Sequence, residues 1–184
     1  MTEPNDHVFV RQCLAGDREA FGVLVGRHHK AVFNVALRMT RNFQEAQDIT
    51  QAVFIKAYEK LSGYDARHKF FSWIYRMAVN EALNFIKRDR RFEGLDTERE
   101  YATLLQTPEG EYEESEMSRN IQNALMLLKV DYRAVIILKH FQELSYHEIG
   151  YILDLPEKTV KSRLFTARQI LKQVLLKQGY VEND

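Results

Sequence analysis

A run of cationic side chains near the end of the chain has the spacing of one exposed helical face. Residues 144–172 predict a short helix, a tight turn and a longer second helix. The outward side of the second helix carries Lys158, Lys161, Ser162, Arg163, Arg168 and Lys172. A helix-turn-helix uses this arrangement to place side chains in a DNA major groove. The segment therefore favours DNA binding over a solvated helical hairpin, which would explain the charges but not the turn.

The elements that must position these side chains are marked by their ends. Ser145 followed by Glu148 predicts a capping box at the start of the first helix. That helix is expected to stop near Asp154, because aspartate tolerates a left-handed backbone, and Pro156 suits the first turn of the next helix. The inward side of the second helix is apolar and consists of Val160, Leu164, Ala167 and Leu171. Caps, turn and apolar side all indicate a helix-turn-helix.

A second candidate lies on a helix predicted from about Phe70 to Arg91. Its exposed stripe consists of Arg76, Asn80, Asn84, Arg88 and Arg91, and Lys87 adds charge near its end. Amides can read base edges while guanidinium groups hold phosphates. The preceding loop, residues 63–69, mixes an aromatic with cations and could hold an unstacked base. Two basic elements favour a nucleic-acid surface over an ordinary surface helix with a connecting loop.

The expected core side of the helix from Phe70 to Arg91 consists of Phe71, Ile74, Ala78 and Phe85.

The composition predicts an all-α protein. The 184 residues include only 3 Pro and 8 Gly, and strong helix formers are frequent. The single cysteine, Cys13, excludes an internal disulfide and fits a reducing compartment. The polar N-terminus does not resemble a secretory signal, and no apolar run reaches the ~20 residues needed to cross a bilayer. We therefore expect a soluble, cytoplasmic protein without membrane insertion.

Residues for catalysis or for a metal are not clustered. The six His and Cys13 are scattered, and the adjacent His28 and His29 point about 100° apart on a predicted helix. The sequence holds no glycine-rich phosphate loop and no nucleophile motif. We therefore expect neither an enzyme nor a bound cofactor or metal.

The formal net charge of zero hides a strong asymmetry along the chain. Residues 1–92 hold 15 Lys and Arg against 10 Asp and Glu, and residues 117–184 hold 10 against 7. Between them, residues 93–116 hold nine acidic residues and one basic residue. We interpret residues 93–117 as a flexible acidic linker between two small helical domains, 1–92 and 118–184. The linker either keeps the chain soluble or imitates nucleic acid inside a partner's positively charged channel. Its charge alone does not distinguish these two interpretations.

The helix predicted to start at Asn42 has two different sides. Asn42 and Glu45 indicate a capped start. The inward side consists of Ala46, Ile49, Val53 and Ala57. The other side is mixed polar and apolar and consists of Asp48, Gln51, Ile55 and Tyr58. A mixed side fits a protein partner better than bulk water, and the alternative is a half-buried helix flank.

Both halves of the chain resemble one bacterial family. Residues 48–57 (DITQAVFIKA) and 71–80 (FSWIYRMAVN) resemble region two of the extracytoplasmic-function (ECF) sigma factors, in the sigma-70 superfamily. Residues 132–135 (YRAV), 144–149 (LSYHEI) and 159–164 (TVKSRL) resemble region four of the same family. Helix-turn-helix regulators share the second pattern, but the two together, in this order, are specific to sigma factors.

The resemblance implies two helical domains that act as the specificity subunit of RNA polymerase and catalyse nothing themselves. Region two of the family binds the clamp helices of the largest polymerase subunit, melts the minus-ten element and captures a flipped base. Region four binds the flap tip of the second-largest subunit and reads the minus-thirty-five element. The linker lies in the polymerase cleft and RNA exit path. An anti-sigma factor is a further partner that the family implies.

Positions in the matching motifs, together with the patterns above, imply a role for three groups of residues. Polymerase binding is expected for Asp48, Gln51, Phe54, Ile55 and Tyr58. Minus-ten recognition is expected for His68, Lys69, Arg76, Asn80, Asn84, Lys87, Arg88 and Arg91. Minus-thirty-five recognition is expected for Lys158, Thr159, Lys161, Ser162, Arg163, Phe165, Arg168 and Lys172.

Two alternatives differ in the partner that they require. A free-standing transcription regulator would bind promoters without polymerase, and the region-two resemblance would then be a coincidence. An antagonist of a sigma factor would bind another protein and would not need a recognition helix.

Overall fold

The computed structural model describes residues 5–92 and 116–179, and these are largely helical, as the sequence predicts. The first half contains α1 (Asp6–Leu14), α2 (Arg18–Thr40), α3 (Phe43–Glu59), a 3₁₀ turn (Leu61–Gly63) and α4 (Phe70–Phe92). The second half contains α5 (Glu116–Met126), α6 (Val130–Ile136), a π-helical turn (Ile137–Phe141), α7 (Tyr146–Leu153) and α8 (Glu157–Lys177). The predicted linker, 93–117, lies outside the described residues except for its last two, which begin α5.

Short polar side chains begin the helices of the first half. The Asp17 carboxylate accepts hydrogen bonds from the backbone N–H groups of Glu19 and Ala20 at the start of α2. The Asn42 side chain accepts from the N–H of Glu45 at 3.0 Å, which confirms the predicted start of α3. Such caps satisfy N–H groups that have no partner within the helix.

The first-half helices pack around one apolar core. On α3 the predicted inward side is confirmed, since Ala46, Ile49, Val53 and Ala57 are all buried. On α4, Ile74 and Ala78 are buried as expected, whereas Phe71 and Phe85 are only partly buried. The other buried residues of α4 are Phe70, Ser72, Tyr75, Val79 and Ala82. The buried arc of α4 is wider than predicted because the helix packs against α2 and α3 and also against α7.

The helix-turn-helix forms as predicted. The Ser145 side chain accepts from the N–H of Glu148, whose carboxylate accepts from the N–H of Ser145 at 2.9 Å, so the capping box is complete. Asp154 adopts the left-handed conformation with φ 56°. Pro156 is the N-cap of α8 rather than a residue of its first turn. Of the predicted inward side of α8, Val160, Leu164 and Ala167 are buried and Leu171 is partly buried.

The turn between α7 and α8 also depends on a glycine within α7. A Cβ atom on Gly150 would lie 2.7 Å from the carbonyl oxygen of Leu155. The N–H of Leu155 donates to the carbonyl of Gly150 at 2.9 Å. The two backbones therefore meet too closely to admit a side chain at residue 150.

A buried arginine ties several helix ends together. Arg133 is 4% exposed, and its guanidinium donates to the carbonyl oxygens of Leu125 at 3.1 Å, Met126 at 2.9 Å and Leu128 at 3.3 Å. A further bond of 2.6 Å reaches the carbonyl of Met39 near the end of α2. Carbonyls at helix C-termini lack intrahelical partners and carry partial negative charge. Arg133 supplies donors and positive charge to these ends and joins the two halves.

The two halves pack against each other. α4 lies against α7, and α2 contacts α6 and the π-helical turn. The Tyr75 hydroxyl donates to the side-chain oxygen of Gln142 at 2.9 Å, and the guanidinium of Arg38 lies 3.8 Å from the centre of the Phe141 ring. The sequence predicts two domains but no particular contact between them, and this contact is the main addition that the structure makes.

Candidate nucleic-acid and polymerase interfaces

The outward side of α8 displays most of the residues expected to recognise the minus-thirty-five element. Lys158, Lys161, Ser162, Phe165, Arg168 and Lys172 are exposed. Phe165 is 65% exposed, although apolar side chains of this size are usually buried. Its position among cations suits a surface that contacts both thymine methyl groups and phosphates.

Two cations of α8 have partners that the sequence did not indicate. Arg163 is half-buried, with Nη1 3.7 Å from the carboxylate of Asp131. Arg168 donates from Nε to the His140 ring at 3.1 Å. Burial, together with the nearby charge of Arg168, lowers the pKa of His140 and keeps its imidazole neutral, so the ring can accept this bond. Thr159 is half-buried. Lys161 remains exposed, although its Nζ lies 3.1 Å from the carboxylate of Glu157 one turn earlier.

Part of the predicted minus-ten stripe on α4 faces open solvent. Asn80, Asn84, Lys87 and Arg88 are exposed. The last three line a shallow groove together with Glu81, which forms an ion pair with Lys56 on α3. The side chain of Arg91 lies outside the described residues. Amide and cationic groups thus share one accessible side, as the sequence predicts.

The rest of the predicted minus-ten surface contacts the helix-turn-helix. The His68 ring stacks on Tyr151 of α7, with centroids 3.7 Å apart and planes 19° apart. Lys69 Nζ lies 2.8 Å from the Glu148 carboxylate. His68 is therefore half-buried against α7, whereas Lys69 contacts Glu148 and stays 66% exposed, so α7 covers this loop only in part.

Arg76 is held by the same helix. Its Nη1 donates to the backbone carbonyl of Tyr151 at 3.1 Å, and its guanidinium lies 5.4 Å from the centre of the Tyr151 ring. Its Nη2 is 3.8 Å from the Asp154 carboxylate. Arg76 lies on the predicted stripe, but the expectation that it is openly exposed is wrong for this arrangement of the two halves.

The loop before α4 is positioned by a tyrosine whose role sequence reasoning missed. The Tyr64 hydroxyl donates to the backbone carbonyl of His68, and its ring packs against Phe70 and Trp73. Burial raises the pKa of Tyr64 to about 12, so the hydroxyl keeps its proton as a donor. An aromatic residue within an otherwise polar loop was the sequence feature that could have indicated this role of Tyr64.

The mixed side of α3 is accessible, as predicted. Asp48 and Gln51 are exposed, Ile55 is 53% exposed and Tyr58 is 44% exposed. Phe54, expected to contact polymerase, is instead buried, with 7% exposure and its ring stacked on His29 at 6.2 Å. Phe54 therefore supports α3 from the core side and leaves the surface to its neighbours.

No group of His, Cys, Asp or Glu suited to a metal ion occurs in the described ranges, 5–92 and 116–179. Over those same residues, every helix is too short or too polar to span a lipid bilayer.

Comparisons with known proteins agree on one family. The Sigma-70 region 2 family matches residues 24–92, and the Sigma-70 region 4 family matches residues 118–171. The chain is 34% identical to the ECF RNA polymerase sigma factor SigW of Bacillus subtilis, over 90% of this chain and 94% of SigW. It is 31% identical to the RNA polymerase sigma-H factor of Pseudomonas aeruginosa, over 95% of this chain and 96% of that protein.

The fold is shared with solved structures. CnrH, in complex with the cytosolic domain of CnrY, superposes with a TM-score of 0.69 and 25% identity, over 92% of this chain and 96% of CnrH. The sigma factor RpoE of Bartonella quintana, in complex with the anti-sigma factor NepR, has the same fold, with a TM-score of 0.64 and 22% identity over 84% of this chain and 96% of RpoE. The two matched regions stand in the expected order, and the sequence relatives match over nearly their whole length. This chain therefore belongs to the extracytoplasmic-function sigma factors of RNA polymerase.

Proposed function

We propose that this ECF sigma factor, which directs core RNA polymerase to specific promoters, divides the task among three surfaces. α8 reads the minus-thirty-five element, α4 with its preceding loop recognises and melts the minus-ten element, and α3 binds the clamp helices. The supporting observation is the placement of exposed side chains, with cations and amides on α8 and α4 and a mixed apolar and polar side on α3. The chain itself catalyses nothing, because the polymerase carries out the chemistry, and it works in the cytoplasm with that enzyme.

We assign region two to residues 1–92, the acidic linker to 93–117 and region four to 118–184. The family matches at 24–92 and 118–171 support the two outer assignments. A linker with nine acidic residues between 93 and 116 fits the positively charged polymerase cleft. Region four would also contact the flap tip. The complex of CnrH with the cytosolic domain of CnrY supports a protein partner for this chain, and the family resemblance implies that this partner is an anti-sigma factor.

The assignment is tested by run-off transcription with purified core polymerase and a library of promoters from the source genome. We expect defined transcripts from a small set of promoters only when both core polymerase and this chain are present. Specific promoter binding without polymerase, combined with no transcripts in its presence, would instead support the free-standing regulator.

Two exposed lysines at opposite ends of α8 are expected to differ in what they read. Lys161 lies near the N-terminal end, which enters the major groove in a helix-turn-helix. Lys161→Ala should therefore reduce discrimination among minus-thirty-five sequences by about 1–3 kcal/mol at one base position. Lys172→Ala should weaken binding to all promoters by the same factor and lower the salt dependence of that binding, as loss of a phosphate contact does.

The pair of variants is internally matched, because each replaces an exposed lysine of the same helix by alanine. Binding of the two holoenzymes to a promoter library at several salt concentrations measures the difference. If both variants change the affinity for all promoters equally, the proposed roles of Lys161 in base reading and of Lys172 in phosphate contact are wrong.

Asn80 on α4 is expected to act in promoter melting. It is exposed and stands on the accessible part of the stripe, so its amide can meet an unpaired base edge. Taking a base out of the duplex costs a few kcal/mol, and specific contacts must offset that cost. Asn80→Ala should leave polymerase binding intact but reduce open-complex formation on duplex promoters, measured by permanganate reactivity of unpaired thymines.

A template already mismatched over the minus-ten element provides the control, because its unpairing cost has been removed. Activity of the variant should recover in part on this template. Normal opening of duplex promoters by Asn80→Ala would show that Asn80 only faces solvent.

A further inference from the structure

One side of α7 carries an aromatic ring between two carboxylates. Glu148 and Tyr151 are three residues apart and therefore neighbours on the surface of α7, and Asp154 follows as the C-cap of the helix. Glu148 meets Lys69 at 2.8 Å, the Tyr151 ring stacks on His68 at 3.7 Å, and Asp154 approaches Arg76. Three members of the proposed minus-ten surface are thus occupied by one face of α7.

This face has the chemistry of a short piece of single-stranded nucleic acid. Single strands bind proteins by stacking bases on aromatic side chains, while cations hold the phosphates. Here a phenol ring takes the position of the base against His68, and carboxylates take the position of phosphates against Lys69 and Arg76. Burial alone would raise the pKa of Glu148, but hydrogen bonds from Lys69 and Ser145 outweigh it and lower the pKa, so the carboxylate stays charged.

We propose that α7 imitates single-stranded DNA and occupies the minus-ten reader while the chain is free of polymerase. The inference rests on the proposed function of α4 and its loop. α4 and its loop then bind the promoter strand only after α7 has moved away. The face of the His68 ring that stacks on Tyr151 cannot hold a flipped base at the same time, so closure and capture of a base on that face exclude each other.

The same arrangement leaves the other two surfaces open. Asp48, Gln51 and Ile55 on α3 remain exposed, as do the cations near both ends of α8. Polymerase can therefore bind the closed chain through α3 before the halves separate. The ion pairs of the contact are partly exposed to solvent, with Lys69 66% and Asp154 87% exposed, so each contributes little. The bonds from Arg133 to the Met39 carbonyl and from Tyr75 to Gln142 also join the halves, and these bonds must break as well before the halves separate.

A triple variant separates closure from folding. Glu148→Gln removes the charge and keeps the capping box, which accepts Gln as well as Glu. Tyr151→Leu removes the aromatic face and keeps an apolar side chain. Asp154→Asn removes the second carboxylate and still tolerates the left-handed turn. The matched control is Glu19→Gln with Glu59→Gln, which changes the net charge equally at exposed positions on α2 and α3.

Two measurements on the full-length chain without polymerase test the proposal. Small-angle X-ray scattering reports separation of the halves, and fluorescence anisotropy reports binding of a labelled pool of random single-stranded DNA. If the closed form hides the reader, the apparent dissociation constant is raised by the inverse of the open fraction. We expect the triple variant to have a larger radius of gyration and to bind the pool about tenfold more tightly, with the control unchanged.

Each other result has a definite meaning. A folded triple variant that stays compact overturns the role of these contacts in closure. If the triple variant is more extended but does not bind DNA more tightly, the proposal that α7 masks the minus-ten reader is overturned. A gain in binding that survives His68→Ala with Lys69→Ala in the same chain also overturns it, because the gain then arises elsewhere. The Asn80→Ala opening assay tests the reader separately, since Asn80 is exposed and has no described contact with α7.

Discussion

Ile55→Asp should abolish most binding to core polymerase. Ile55 is 53% exposed in the middle of the mixed side of α3, so a large part of an apolar side chain faces solvent there. Replacing a residue at the centre of an interface costs about 2–4 kcal/mol of binding free energy. Burying an unpaired charge at the same place weakens binding further. We expect the dissociation constant, measured by fluorescence anisotropy with purified core enzyme, to rise by about 100-fold.

Leu14→Asp on α1 is the matched control, because Leu14 is 54% exposed and lies on a helix that does not pack against α3. It should bind polymerase normally. Asp48→Ala combined with Gln51→Ala should weaken binding less, since both residues are polar and exposed. Undiminished binding by a folded Ile55→Asp chain would remove the clamp assignment of α3.

Arg133→Met should lower the free energy of unfolding by at least about 3 kcal/mol, because each buried polar group left without a partner costs about 1–3 kcal/mol. Methionine fills a similar volume but donates no hydrogen bond, so the carbonyls of Met126, Leu128 and Met39 would lose a donor, whereas the carbonyl of Leu125 would keep its bond from the N–H of Leu128. The bond to Met39 crosses between the halves, so packing between them should weaken as well. Urea denaturation followed by circular dichroism measures the change.

Arg119→Met provides the comparison, because Arg119 is exposed on α5 and its replacement should change stability by no more than about 0.5 kcal/mol. Similar unfolding curves for the two variants would show that Arg133 is not needed to satisfy the helix ends.

Local features of the fold were predictable because their causes are local. The N-cap at Asn42 and the capping box at Ser145 depend on residues three apart, and both form as predicted. The left-handed turn at Asp154 follows from the residue type. The all-helical class and the order of the two regions follow from periodicity and motif order, and both are confirmed.

The remaining features depend on contacts between distant parts of the chain. Helical spacing separates adjacent residues by about 100°, which did not reveal that Phe54 is buried while Ile55 is exposed. The stack of His68 on Tyr151 joins residues 83 positions apart, and no periodicity encodes it. Arg133 was missed because charged residues are rarely buried, and its carbonyl partners leave no mark in the side-chain pattern.

α8 assigns support and recognition to different side chains. Val160, Leu164 and Ala167 hold the helix in place, and the close approach of Gly150 to Leu155 sets its corner with α7. None of these residues lies on the outward arc that carries the exposed cations and Phe165. If the outward arc reads the promoter, as we propose, it is free to diverge in evolution: a few substitutions would retarget the protein to another set of genes while its architecture is inherited unchanged.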